Sequence, residues 1–551
     1  MITFKPITMM EKCFMDEVIS SKTVVERISG LKEEECAFQL AYTSDDPDNY
    51  PRMNCVLKVD SPISEYINIR QVEQVPVRYP CRITDDEDYL RREAGLYPDL
   101  LSPLDCFNHV FPTYNVLKTL YVTVKIPASY PAGDYPMAFA LECEDGSIAA
   151  EAKLTFHCVN AVLPEQTMKY TNWFHSDCIA NYYNLETFSE KHWEYIGKFI
   201  RTAAANGMNT ILTPVFTPPL DTAIGHERRT IQLVDVEKTA DGWSFSFEKL
   251  ERWVKLCLEN GIEFFEISHL YSQWGAVHAP KIMGRDESGE YKHLFGWETD
   301  STSAEYCGFL RAFLKALTAE CKKLGIDNRI MFHISDEPGR EQADDYKAAR
   351  EQIADLLDGY RVMDAMSHFE LYEEGVVECP IPSSSDLGPF LEADIPDLWT
   401  YYCCGTRKGV SNRLIAMSME RARVIGLQFW KYDIKGFLQW GYNFYSSCGS
   451  CRPIDPYLIT DGDYWVPAGD CFVVYPGPDG NPLETLHLKA FTFALQDTRA
   501  LQLACSLSSK EEVTAIIEKY GTVTFFENPK GNNWLEKVRE EINELIEKRI
   551  G

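Results

Sequence analysis

The segment HISDEPG, residues 333–339, sets Asp336 beside Glu337 directly after the apolar run RIMFHI and directly before a proline. Each carboxylate is costly to desolvate and each repels the other, so a fold gains little by placing such a pair at the end of a buried strand. As chemistry the pair makes sense: one carboxyl can pass a proton while its neighbour stays charged to hold a developing positive centre. Pro338 disfavours helical geometry at Glu337, so the chain is expected to leave the strand extended, with a twist or bulge at the rim letting both side chains reach one pocket. From this segment alone a plainer reading is equally open, in which Asp336 caps a following helix and Glu337 is solvated.

The elements that must position the pair come from the surrounding rhythm. From about residue 168 strand-like runs alternate with amphipathic helices, and eight can be counted: MKYTNWF, TILTPV, EFFEIS, RIMFHIS, RVMDAMS, VVECPIP, DLWTYY and GFLQWG. That count predicts a closed (β/α)8 TIM-type barrel, with chemistry at the C-terminal ends of its strands and HISDEPG at the end of the fourth. Trp193, Ile196, Ile200 and Ala203 lie on one helical stripe ending at Gly207, and Tyr306, Phe309, Leu310, Phe313, Leu314 and Leu317 on another. Two excursions, at about 217–245 and 271–300, lengthen the loops after the second and third strands and should wall a pocket. Residues before about 165 read as strands and turns without a long helix, a β-sandwich. The expected organisation is multidomain: an N-terminal β-sandwich over 1–165, the barrel over 166–508 and a short helical C-terminal tail over 509–551, whose KVREEINELIEKRI is a packing helix with one face in solvent.

Composition narrows the partners. With 83 acidic and 54 basic residues among 551, the formal net charge of -29 repels a phosphate backbone, so no nucleic acid is expected. No window offers about 18 consecutive apolar residues and the first residues carry no export signature, so a cytoplasmic protein that does not enter a membrane is expected. The 18 cysteines are scattered, many in apolar segments such as Cys257, and read as reduced packing thiols. One CxxC, Cys448 and Cys451, with the Cys403-Cys404 pair upstream, leaves a four-thiolate zinc or redox site as a remote alternative. No cofactor is expected, and a metal site at His175, Asp177 and His269 lacks a ligand motif.

The other strand ends carry Trp173, His175 and Asp177, then His269 and Trp274, then Tyr401 and Tyr402, then Trp440, Tyr442 and Asn443. Taken together these make an aromatic bowl with polar groups, suited to the C–H faces and hydroxyls of a sugar, although each residue singly fits a core or rim position as well. His333 reads as a hydrogen-bonding residue behind the site. A conventional retaining glycosidase needs a second carboxylate on the far side of the sugar. The seventh-strand run DLWTYYCCGTRKG supplies none after its aromatic residues. A substrate with a 2-acetamido group brings its own nucleophile, the amide oxygen, and then needs one acid/base and one carboxylate to steer the amide.

The stretches NWFHSDCIANYY, LTPVFTPPLDT, EISHLYSQWGA, FHISDEP, KGFLQWGYNFY and VYPGPDG resemble the glycoside hydrolase family 123-like catalytic domain, from about residue 168 to 505. The resemblance implies β-N-acetylgalactosaminidase activity on a GalNAc-containing glycan or glycoside, with Asp336 orienting and stabilising the reacting acetamido group and Glu337 as general acid/base. On the catalytic reading PPLDT, NFY and the tryptophans are expected to shape the sugar pocket. Family 20 hexosaminidases are similar in using an adjacent Asp-Glu pair on a barrel. Two alternatives stay open: a carbohydrate-binding protein without catalysis, and a conventional glycosidase whose nucleophile is Asp177, Glu266 or Glu298.

Overall fold

The computed structural model describes residues 1–49, 54–82, 86, 88–406, 409–531 and 533–551. Its N-terminal part is two five-stranded sheets. The first is antiparallel, in the order Ile2–Thr8, Glu35–Ser44, Lys118–Lys125, Ile67–Val77, Gly95–Pro103; the second is Arg27–Lys32, Ile148–Val162, Gly133–Cys143, Cys55–Asp60, His109–Val110, with only its first strand running parallel to its neighbour. Alternate residues of both sheets, among them Phe38, Leu40, Val122, Phe139 and Phe156, meet in one buried core.

All eight strand-like runs of the second part are strands: β1 (Lys169–Asn172), β2 (Thr210–Thr213), β3 (Phe264–Ile267), β4 (Ile330–Phe332), β5 (Arg361–Met366), β6 (Cys379–Pro382), β7 (Trp399–Tyr401) and β8 (Gly436–Gln439). β1 to β6 pair in parallel in succession, β7 pairs with β8, and β8 pairs with β1. The weakest seam lies between β6 and β7, where a bridge from Ser383 to Tyr401 and the Ser384 N–H to Tyr401 carbonyl bond (2.8 Å) bring the barrel close to closure. Trp173, Leu212, Met331, Met363, Ile381, Trp399 and Leu438 fill its interior.

The two helical stripes read from sequence are buried as expected, on Glu190–Ala205, capped by Ser189, and on Ala304–Lys323, capped by Ser303. The long excursions do more than wall a pocket. Asp235–Thr239 and Gly242–Ser246 from one join Ile282–Arg285 and Tyr291–Phe295 from the other in a four-stranded sheet, packed through Trp243, Phe245 and Phe295 onto Phe309. The C-terminal segment is helical, and its last helix, Trp534–Ile550, packs against the N-terminal sheets and the long helix Leu486–Leu507, with the Arg539 guanidinium on the Glu34 carboxylate at 2.8 Å. No helix among the described residues is long and apolar enough to cross a membrane.

Candidate active site

β4 ends at Phe332, and the chain runs on through His333, Ile334 and Ser335 to Asp336 at the rim. Here the backbone departs from the extended exit that Pro338 favours: Glu337 has φ 45°, the left-handed region, and its N–H bonds the Ala365 carbonyl near the end of β5 at 3.2 Å. Such a conformation costs a non-glycine residue about 1–3 kcal/mol and persists only where the surroundings hold it. Trp274 (φ 58°) and Asp221 (φ 48°), on the two neighbouring loops, share it. All three line one cleft of about 140 Å³, together with Trp173, Gln273, Asp336, Tyr401, Trp440 and Trp465, over a floor of Ala365 and Leu438.

The paired carboxylates sit in unlike surroundings. Asp336 is 6% exposed, and its Oδ2 accepts the Gln273 side-chain N–H at 2.8 Å. Burial, then the charges of Glu337 and Asp221, push its carboxyl well above the usual range, with Gln273 opposing. Glu337 is exposed to the cleft, and its Oε1 accepts the Tyr401 hydroxyl at 2.5 Å. The desolvated member of the pair is therefore Asp336. Neither carboxylate caps a helix; Gly339 opens the short turn that follows.

A third carboxyl, Asp221, comes from PPLDT. Its N–H donates to Gln273 Oε1 at 2.7 Å, so one glutamine ties this loop to Asp336. Desolvation pushes the Asp221 carboxyl up to about 7; Arg228 draws it down, while Glu337 and Asp470 add to the rise. Asp470 fixes the opposite wall by accepting the Trp440 indole N–H and the Cys404 N–H, each at 3.0 Å, and Trp440 leans on Trp465 with ring centres 5.4 Å apart. Gln273, Trp465 and Asp470 were not read as site residues from the sequence. A polar residue beside Trp274 was the one available signal for Gln273, and the β8 loop carrying the other two has no barrel periodicity.

Six of the expected residues, Trp173, Trp274, Asp336, Glu337, Tyr401 and Trp440, line the cleft. The other six do not, each for a physical reason. His175, Asp177 and Asn443 form a buried bracket: Arg228 chelates Asp177 at 2.7 and 2.9 Å and donates to His175 Nδ1 at 3.0 Å, and Asn443 bonds both the N–H and the carbonyl of His175. A guanidinium at that nitrogen is incompatible with a cation there, which removes the His175, Asp177 and His269 metal arrangement. Tyr402 follows Tyr401 and so points to the other side of the strand, against Phe437. Tyr442 donates to the Phe199 carbonyl at 3.1 Å behind the barrel.

His269 lies under the cleft, stacked on His333 with centres 4.6 Å apart. His333 faces carboxylates with both nitrogens, Asp364 at 3.2 Å and Glu266 at 3.6 Å. Burial opposes its charge, but these two neighbours push the imidazole up to about 10, while burial and the His333 charge hold His269 well below its ordinary value. Glu266 in turn accepts the Trp173 indole N–H at 2.9 Å, tying the cleft floor to this charged layer. His269, His333 and Asp364 bring ligand-type atoms within 4.8 Å of one another, the one such group among the described residues, but the stacked rings and the carboxylates facing His333 describe an imidazolium better than a metal ligand. The four thiols Cys403, Cys404, Cys448 and Cys451 do not gather; the first two line the cleft and the second two are exposed.

A carboxylate pair at the C-terminal end of a barrel strand, flanked by tryptophans and tyrosine in a cleft of about 140 Å³, is the arrangement of a barrel glycosidase. Residues 173–504 match the catalytic domain of glycoside hydrolase family 123, and the chain belongs to that family. Its fold is similar along the whole chain to that of a family 123 glycoside hydrolase from Clostridium perfringens, an enzyme described as hydrolysing glycolipid glycans, at 14% identity and TM-score 0.74, covering 100% of this chain and 98% of that one. A Parabacteroides merdae β-glucuronidase aligns at 11% identity over 83% of this chain and 50% of that one, with a TM-score of 0.30 that carries no weight. No curated protein matches the chain.

Proposed function

We propose that this glycoside hydrolase removes β-linked N-acetylgalactosamine, or a related N-acetylhexosamine, with retention, through an oxazoline-type intermediate formed by the substrate's own acetamido group. The observation that carries the reading is the sharing of one cleft by Asp336 and Glu337 while the end of β7 offers Tyr401 in place of a nucleophilic carboxylate. The alternatives for that nucleophile are engaged elsewhere. Asp177 is paired to Arg228, Glu266 is buried beneath Trp173, and Glu298 lies in solvent with its side chain 64% exposed. Asp221, raised to about 7, is ionised in only part of the molecules near neutral pH, which leaves less of it free to act as a nucleophile.

In the empty site burial favours the protonated form of Asp336. The arriving amide N–H takes the place of that proton, which passes to Glu337 on the open side of the pair, and the positive charge that grows as the amide oxygen attacks the anomeric carbon favours the Asp336 carboxylate further. Glu337, on the open side of the pair and oriented by Tyr401, protonates the departing glycosidic oxygen and then deprotonates the water that opens the oxazoline. Trp173, Trp274 and Trp440 give the sugar apolar walls. We take residues 1–165 as a supporting domain and 166–508 as the catalytic one; all 18 cysteines are free thiols, which favours a cytoplasmic setting.

The test is hydrolysis of matched aryl β-glycosides of GalNAc, GlcNAc and galactose by the wild type, Glu337→Gln and Asp336→Asn. GalNAc turnover that falls at least 100-fold in both variants, with retained configuration in the first-formed product, supports the proposal. Galactoside turnover of similar rate returns the protein to conventional glycosidases, and sugar binding without turnover makes it a lectin-like relative.

A further inference from the structure

Of the three carboxyls in the cleft, Asp336 accepts Gln273 and Glu337 accepts Tyr401. The third, Asp221, shares the Gln273 side chain and has no partner of its own. We infer that Asp221 is the specificity-determining residue of this site, its carboxyl bonding a ring hydroxyl of the bound N-acetylhexosamine away from carbons 1 and 2. The inference rests on the substrate-assisted reading, in which Glu337 serves the leaving oxygen at carbon 1 and Asp336 the amide at carbon 2, so that the ring hydroxyls remain for another group.

Three observations support it. The Asp221 backbone is pinned in a strained conformation from both sides: its N–H bonds Gln273 at 2.7 Å, its carbonyl accepts the Ser450 hydroxyl at 2.7 Å, and φ is 48°. The Ser450 loop is itself docked on the next residues, with the Ala223 N–H on the Gly449 carbonyl at 3.0 Å. Strain held by two loops aims a side chain and keeps it aimed before a ligand arrives. Second, the other polar anchors around the site are saturated, Asp177 by the Arg228 guanidinium and Asp470 by Trp440, Cys404 and Gln439, whereas among the described residues no cation lies in ion-pair contact with the Asp221 carboxyl and its hydrogen bonding comes from the Gln273 side chain, which Asp336 also uses. Third, the side chain is half-buried in the wall of the cleft, where a sugar would complete its desolvation. An acceptor left to the ligand in this way rejects a sugar that lacks the matching hydroxyl.

The decisive experiment compares kcat/KM for an aryl β-N-acetylgalactosaminide and its 3-, 4- and 6-deoxy analogues, with the wild type, Asp221→Ala and the shape-conserving Asp221→Asn. One deoxy analogue should react roughly 10- to 100-fold more slowly than its parent with the wild type, and nearly as fast as its parent with Asp221→Ala. Parent-to-deoxy ratios that are the same in wild type and variants for all three positions overturn the inference while leaving the substrate-assisted reading in place. If the wild type cleaves galactosides and not N-acetylgalactosaminides, that reading fails by itself, and the deoxy comparison on galactosides then decides Asp221. Trapping of a 2-deoxy-2-fluoro galactoside on Asp221 would make it a nucleophile and overturn the inference, as would the absence of binding and turnover of every glycoside.

Discussion

Replacing Gln273 by alanine tests the wiring of the cleft. The side chain donates to Asp336 Oδ2 at 2.8 Å and accepts from the Asp221 N–H at 2.7 Å. A hydrogen bond to a charged group contributes about 1.5–3 kcal/mol, and under the proposed mechanism the donor matters most when Asp336 is fully ionised against the oxazoline. Loss of the amide should lower kcat/KM by roughly 10- to 150-fold, chiefly through kcat. The sign of the pH effect follows from the same contact. Gln273 draws both Asp336 and Asp221 downward, so its removal favours their protonated forms and displaces the activity profile to higher pH. Gln273→Glu, which sets another carboxyl against Asp336, should lose more than Gln273→Ala. The assay is a pH series of initial rates on an aryl N-acetylgalactosaminide, with denaturant melts to confirm that each variant is folded. Folded Gln273→Ala with kcat/KM within twofold of wild type and an unmoved profile would refute the reasoning.

Three further outcomes are expected. Asp177→Asn leaves the Arg228 guanidinium buried without its counter-charge, both side chains being at most 4% exposed, and should destabilise the protein by about 3–5 kcal/mol in a urea titration while KM of the folded fraction stays near wild type. His333, raised to about 10, should titrate there by NMR of ring-labelled histidines, and its contribution to stability is whole below about pH 6.5 and lost as pH rises through about 10; a midpoint near 6.5 would remove the imidazolium from the barrel. Gly436→Ala drives a methyl to 2.1 Å from the Trp399 ring across the β7–β8 seam, and should lower the denaturant midpoint by about 1–3 kcal/mol of stability or more.

The barrel is legible because its strands are short apolar runs alternating with amphipathic helices, and the Asp336-Glu337 pair because two adjacent charges at such a strand end are out of place. Tertiary partners decided the rest. The His175, Asp177 and Asn443 cluster reads as polar equipment at a rim until Arg228, contributed by a loop some 50 positions later, claims it. Tyr402 was grouped with Tyr401 although strand alternation separates them. Glu337 obeys the loop that holds it in preference to the proline that follows, and no local rule predicts a positive φ before Pro338. The pairing of the two excursions into one sheet depends on residues about 50 apart meeting edge to edge, as Glu237 does with Arg285.

The helix Leu486–Leu507 has buried residues around nearly its whole circumference. Its Gln496 exchanges bonds with the Glu35 backbone at 2.8 and 2.9 Å, its Lys489 reaches Glu35 and Asn206, and its Asp497 binds Arg423 on the barrel side. The chain's architecture thus divides on paper where its cooperativity does not. A fragment beginning at β1 would present an apolar helix face and several bereft charges to water, so the N-terminal sheets act as the missing half of the catalytic unit's own solvent boundary, and the whole molecule should unfold in a single transition.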